Sequence, residues 1–242
     1  MSKISNHAGE LLDYQFHPGN NGNVLVIIGH GLTGNKDMPL LVGIAEGLAG
    51  RGWPCLRVSF SGNGRSGGRF VDSCITKQRG DLKALLDCLP DHVSAAYVGH
   101  GMGAAAGVLT ARGDLRIHTV VSLAGMLKPA DFAAREFAGL EPDGSCMMED
   151  EKFPISSTLA DDLKSIGCLL PVLARLVQPL LLIHGFDDEL IPVGDSRDAA
   201  GIAGNRCELL EIPAVGHDFG EATFPLLITT IDRWLTAQLG DG

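Results

Sequence analysis

Hydrophobic residues along this chain gather in short, nearly unbroken runs, and longer stretches with helical spacing lie between them. The runs are "NVLVIIGHG" (23–31), "PCLRVSF" (54–60), "SAAYVGHG" (94–101), "HTVVSLAG" (118–125), "PLLLIHG" (179–185) and "CELLEIPAVGH" (207–217). Runs that are apolar at both odd and even positions predict strands covered on both faces, as in a parallel sheet. Between them Leu82, Leu85, Leu86 and Leu89 repeat at helical spacing, as do Phe224, Leu227, Ile228, Ile231, Trp234 and Leu235 near the end. Those stripes predict helices turned toward a core. Connections of that length between consecutive strands require crossovers, hence right-handed βαβ units with helices on both faces. The expected fold class is therefore α/β, a doubly wound, mostly parallel sheet. One interval breaks the alternation: about fifty residues separate Gly125 from Val177, well beyond ordinary loop length, with short helical patterns and no strand. We read it as a small helical cap, inserted at about 126–176 over the sheet's C-terminal edge, within one domain spanning 1–242. No internal repeat or low-complexity tract is present.

Composition narrows the partners. The chain has 242 residues, 45% hydrophobic and 20% charged, enough to bury a large core. Its net charge of −10 and the lack of clustered Lys and Arg argue against a nucleic-acid partner. The N-terminal "MSKISNHAGELLDY" has no apolar core of signal-peptide length, and no run approaches the roughly 20 apolar residues of a membrane span. A cytoplasmic protein without a membrane partner is expected. Cys55, Cys74, Cys88, Cys146, Cys168 and Cys207 are scattered, with no CxxC pair and no His at metal-ligand spacing. They read as reduced thiols, and no metal site is expected. Oligomeric state is open.

The chemistry-bearing residues cluster at strand ends, where open α/β sheets bind ligands. "GHGLTGNKD", "FSGNGRSGG", "GHGMGA", "HGFDDELIP" and "GHDF" follow the strands in turn. In this order and spacing they resemble the α/β-hydrolase family, over about Asn23 to Leu239. The chain is similar to small bacterial esterases of the cinnamoyl or feruloyl type and to related serine peptidase-like hydrolases, which share the "HGxTGNKD" and "GNGxSxG" segments. The resemblance implies an oxyanion hole from the backbone N–H of Leu32 and of Met102. It also implies a triad acid at Asp188 rather than Asp187, from the pattern HGxxDxxVP, and a catalytic base at His217. A small-molecule ester or acyl substrate follows, with no cofactor. In such a triad a buried carboxylate holds the imidazole tautomer while the other ring nitrogen takes the nucleophile's proton.

The nucleophile itself is missing. The family's G-x-S-x-G is G-x-G-x-G here, and Gly101 offers neither hydroxyl nor thiol, which closes covalent catalysis at that position. Ser94 opens a strand, Ser122 lies inside one, and Ser61 and Ser66 belong to the "FSGNGRSGG" loop, so none has a route to the elbow. The elbow demands a positive φ that costs a non-glycine residue about 1–3 kcal/mol, so glycine removes the hydroxyl and the strain together. An engineered inactive variant and a natural pseudoenzyme would both look like this. The expected function is that of a serine-type carboxylic ester hydrolase lineage, transferring acyl groups to water, with this chain inactive or nearly so. Two alternatives stand beside it: a non-catalytic ligand-binding pseudohydrolase, and nucleophile-free chemistry in which His217 and Asp188 act as a base on water or on an acidic substrate proton.

Other residues carry plainer readings. Gly99, Gly101 and Ala104 satisfy the dinucleotide pattern G-x-G-x-x-G/A, but the next strand ends in Ala124 and Gly125 without the acid that would hold a ribose. His100 and His184 read as packing and hydrogen-bonding residues, and His30 as shaping the oxyanion loop. Asp187 reads as a solvated neighbour of Asp188, and Arg65 and Arg69 as members of a solvated loop.

Overall fold

A computed structural model describes residues 3–20 and 23–240. Met1, Ser2, Asn21, Gly22, Asp241 and Gly242, which the expected 1–242 domain includes, lie outside the described residues. Seven strands form one sheet: β1 (Asp13–His17), β2 (Val24–Gly29), β3 (Cys55–Ser59), β4 (Ser94–His100), β5 (Ile117–Leu123), β6 (Leu180–Gly185) and β7 (Cys207–Ile212). Their order is β1-β3-β2-β4-β5-β6-β7, with only β1 antiparallel to its neighbour. The sheet is thus the doubly wound, mostly parallel one that the hydrophobic runs imply. The last run, expected to 217, stops pairing at Ile212, because Pro213 has no N–H for the ladder.

Each hydrophobic run divides its side chains between two cores by strict alternation. On one face Ile27, Ala95, Tyr97, Val120, Leu180 and Leu182 meet α2 (Ile75–Asp87), α3 (Met102–Ala111) and α7 (Val193–Ala203). On the other, Val26, Ile28, Ala96, Val98, Leu181 and Ile183 meet α1 (Pro39–Ala49) and α8 (Gly220–Leu239). This two-sided burial is why the strands read as continuous rather than alternating hydrophobicity. Leu227, Ile231, Trp234 and Leu235 of the predicted stripe are buried as read, and Phe224 and Ile228 pack against glycines 43 and 47 of α1. A methyl group at either glycine would meet those side chains at 2.6 and 2.3 Å, so the small residues set how closely the two helices approach.

The interval between β5 and β6 holds α4 (Pro129–Glu136), α5 (Ser157–Ile166) and α6 (Leu170–Leu173), with no strand among its described residues beyond an isolated bridge from Cys146 to Pro154. Ser156 caps α5 by accepting from Leu159 N–H at 3.1 Å, the usual way to satisfy a first-turn donor. Phe132, Leu159, Leu163 and Leu173 anchor this layer onto the α2 and α3 side of the core.

Candidate active site

The β4–α3 junction is built by three glycines, each for a stated reason. A Cβ at Gly99 would lie 2.6 Å from Ala104 N, and one at Gly103 would lie 2.4 Å from His30 O, so both permit α3 to seat directly on the sheet. Gly101 instead serves conformation: φ 51° and ψ −118° place it where side-chain-bearing residues are strained. Backbone bonds hold it there, from Gly101 N–H to Leu123 O at 3.0 Å and to Gly101 O from Ala104 and Met126 N–H at 3.1 and 3.0 Å. Close packing accounts for Gly99 without a dinucleotide, and β5 ends at Leu123 with no acidic side chain beside it.

Asp188 stands in the loop after β6 and His217 in the loop between β7 and α8, and they meet at 2.8 Å, Asp188 Oδ2 to His217 Nδ1. The Asp188 side chain is fully buried, whereas Asp187 is exposed. A carboxylate only accepts, so His217 Nδ1 carries a proton, and in the neutral ring Nε2 presents the lone pair. That lone pair faces the elbow: a Cβ built on Gly101 would lie 3.4 Å from His217 Nε2. Leu32 and Met102 line the same cavity, and among the described residues neither backbone N–H donates to a protein acceptor. The structure therefore brings together Gly101, Asp188, His217, Leu32 and Met102.

Histidines around this group are held neutral or fixed in tautomer. His184, buried beneath the loop, donates from Nε2 to Asp188 Oδ2 at 3.1 Å and to Ile191 O at 2.9 Å, while Nδ1 accepts from Ser196 Oγ at 2.7 Å. Asp188 Oδ1 accepts from Leu190 and Ile191 N–H at 2.9 and 2.8 Å. Burial alone would raise this carboxyl, but the bonds from His184, His217 and the Ile191 N–H outweigh it and hold it well below the ordinary carboxylate range. His100 stacks on His217 with ring centres 4.5 Å apart and donates from Nε2 to His217 O at 3.1 Å. Desolvation, helped by the neighbouring His217, lowers His100 to about 3. Its Nδ1 has no partner among the described residues. His30 bridges two loops, donating from Nδ1 to Gly31 O at 2.7 Å and accepting at Nε2 from Phe60 N–H at 2.9 Å; burial lowers it to about 4.

Above the group lies a cavity of about 340 Å³ between the strand ends and the β5–β6 interval. Met38, Met102, Met126, Met147 and Met148, every methionine among the described residues, line it together with Phe132 and Phe137. Thioethers give a soft, deformable wall, and only Glu136 and Asp218 add acidic groups. Among the described residues no serine lines the cavity, and Thr33 supplies the one hydroxyl. Ser61 donates to Asp81, Ser66 donates to Ser59 O, Ser122 is buried under Gly125, and Ser94 starts β4 at the far end of the strand. Arg69 pairs with Asp72 in the exposed part of the glycine-rich loop, and Arg65 lies exposed beside it. Neither the His184 bond to Asp188 nor the methionine wall was readable from sequence, since both depend on which loops meet. The pattern HG before the acid was the nearest signal for His184.

Among the described residues no group of three or more His, Cys, Asp or Glu is placed to hold a metal ion, and no helix is long and apolar enough to cross a membrane. A family model described as the alpha/beta hydrolase fold matches residues 24–142. Solved structures with similar folds include Est1E from Butyrivibrio proteoclasticus with ferulic acid bound, at 22% identity, full coverage of both chains and a TM-score of 0.86. Alpha/beta hydrolase domain-containing protein 10 from mouse is similar at 20% identity over 98% of each chain, with a TM-score of 0.80. The Pyrococcus furiosus esterase Pf2001 is similar at 21% identity, over 98% of this chain and 91% of its own, with a TM-score of 0.72.

Proposed function

For a chain with the α/β-hydrolase fold, matched by that fold's family model over residues 24–142, we propose a carboxylic ester hydrolase site whose triad is complete except for its nucleophile. Gly101 takes the nucleophile's place, Asp188 is the acid, His217 the base, and Leu32 and Met102 N–H form the oxyanion hole. Serine-type acyl transfer is closed in the chain as it stands. The segment 126–176 acts as a cap, and the methionine-lined cavity beneath it takes a small apolar ester or acyl compound. One observation carries the reading: the place of a Cβ on Gly101 lies 3.4 Å from the Nε2 of a histidine whose other nitrogen is held by a buried carboxylate. From that Cβ, an Oγ reaches hydrogen-bond distance of Nε2 by a single rotamer choice.

Gly101→Ser is the test. The variant should hydrolyse short p-nitrophenyl esters, lose that turnover on adding His217→Ala, and melt earlier by about 1–3 kcal/mol, since serine must adopt the backbone glycine accepts freely. The ferulic acid bound to Est1E makes aromatic acyl esters the next substrates to try. If Gly101→Ser places its Oγ beside His217 and remains inert on every ester, the esterase reading fails.

A further inference from the structure

Three properties of the site survive the loss of a serine and act together. The carboxylate of Asp188 accepts a hydrogen bond from the Nδ1 proton of His217, so in the neutral ring Nε2 is the nitrogen with the lone pair, without any help from a nucleophile. That base faces space: a Cβ on Gly101 would meet His217 Nε2 at 3.4 Å and Gly31 Cα at 3.6 Å, with nothing nearer. Exchanging a serine's hydroxymethyl for hydrogen frees about 30 Å³, the share of one water in the liquid. Beside it, Leu32 and Met102 line the same cavity at the start of α3, and among the described residues neither N–H is taken by a protein acceptor, which leaves both for a developing negative charge.

We propose that the chain hydrolyses activated carboxylic esters and thioesters by direct attack of water, with His217 as the general base and no acyl-enzyme. The inference rests on the site reading given above. Water occupies the place of the missing hydroxymethyl group, and its oxygen bonds to the acyl carbon as its proton passes to His217 Nε2. The carbonyl π pair moves onto oxygen and is held by Leu32 and Met102 N–H. Collapse of that adduct expels the phenoxide or thiolate, which takes the proton back from Nε2. The products are a carboxylic acid and a phenol or thiol, and His217 returns to its starting form. Without a covalent intermediate the barrier is not divided into two smaller ones, so only leaving groups that depart readily are served. The cavity wall of methionine and phenylalanine suits an apolar acyl chain.

The test compares the chain with Gly101→Ala, His217→Gln and Gly101→Ser, using p-nitrophenyl butyrate and intact-mass detection of a fluorophosphonate adduct. The unsubstituted chain should exceed the buffer rate by about 10²–10⁴-fold, the range of a positioned general base, and take up no fluorophosphonate. His217→Gln should return to the buffer rate. Gly101→Ala, whose methyl fills the place of water, should fall by about tenfold or more. It shares its backbone strain with Gly101→Ser, so a folded Gly101→Ser shows that the strain is tolerated. A silent chain beside an active Gly101→Ser overturns the water route and leaves the site reading standing. Silence in both overturns the site reading. Turnover that survives His217→Gln, or a fluorophosphonate adduct on the unsubstituted chain at Thr33 or elsewhere, assigns the activity to another group and also overturns the water route.

Discussion

Acid should unfold this protein early, and two buried histidines set the amount. His30 must stay neutral to accept from Phe60 N–H, and His100 has no acceptor for a second proton at Nδ1; burial lowers them to about 4 and about 3. In the unfolded chain each titrates near its ordinary value of about 6.5. Because both folded values are depressed, the unfolded state binds more protons below about pH 6.5, and folding stability falls as pH drops. A pH of 5 lies about 1.5 units below the unfolded value and above both folded ones, which at 1.36 kcal/mol per unit is about 2 kcal/mol for each ring, or about 4 kcal/mol for the pair. His17, lowered by burial and by Arg57, adds in the same direction. Asp188 does not interfere: its folded value is depressed, so its stabilisation holds above the unfolded value of about 3.9 and fades only below that. Asp81 opposes the trend, since burial raises it and it gains stability as pH falls through its folded value. Urea unfolding at pH 7.5, 6.5, 5.5 and 5.0 measures the sum, and Asp81→Asn removes the opposing contribution. A loss below about 1 kcal/mol between pH 7.5 and 5 in that variant would refute the assignment of both rings as neutral and buried.

Two further substitutions test the architecture under the site. Gly99→Ala brings a methyl within 2.6 Å of Ala104 backbone, which cannot yield, so thermal melting should show a loss of about 1–3 kcal/mol or more. Tyr97→Phe removes the buried hydroxyl that donates to Gly103 O at 2.9 Å, a carbonyl that keeps its bond within α3, and chemical denaturation should register about 0.5–1.5 kcal/mol for the lost hydrogen bond.

Legibility followed the physics of each element. Strands β2 to β6 were readable because burial on both faces writes continuous hydrophobicity into five to seven residues, and the edge strand β7 through Leu209, Leu210 and Ile212. β1 was not: "DYQFH" is five residues of edge strand, paired only with β3, and its half-buried pattern carries little signal. Gly101, Leu32, Met102, Asp188 and His217 were placed by motifs at strand ends, and the loops bring them together. Choosing Asp188 over Asp187 needed the family pattern, since adjacent aspartates are identical as sequence and differ only in which one the loop turns inward. The cavity wall was unreadable because Met126, Phe132 and Met147 lie in short helices and turns whose packing no periodicity encodes.

The elbow at Gly101 has a genetic consequence. Its backbone is fastened by main-chain bonds to Leu123, Ala104 and Met126, so no bond of the turn is made by a side chain at that position, and a residue other than glycine there bears only the cost of the positive φ. Such a turn keeps its shape while the residue it carries is exchanged. Serine codons AGT and AGC become glycine codons GGT and GGC by one base change, and the reverse step is equally short. On the proposed reading of the site, a GGT or GGC codon at residue 101 lies one nucleotide from a serine nucleophile.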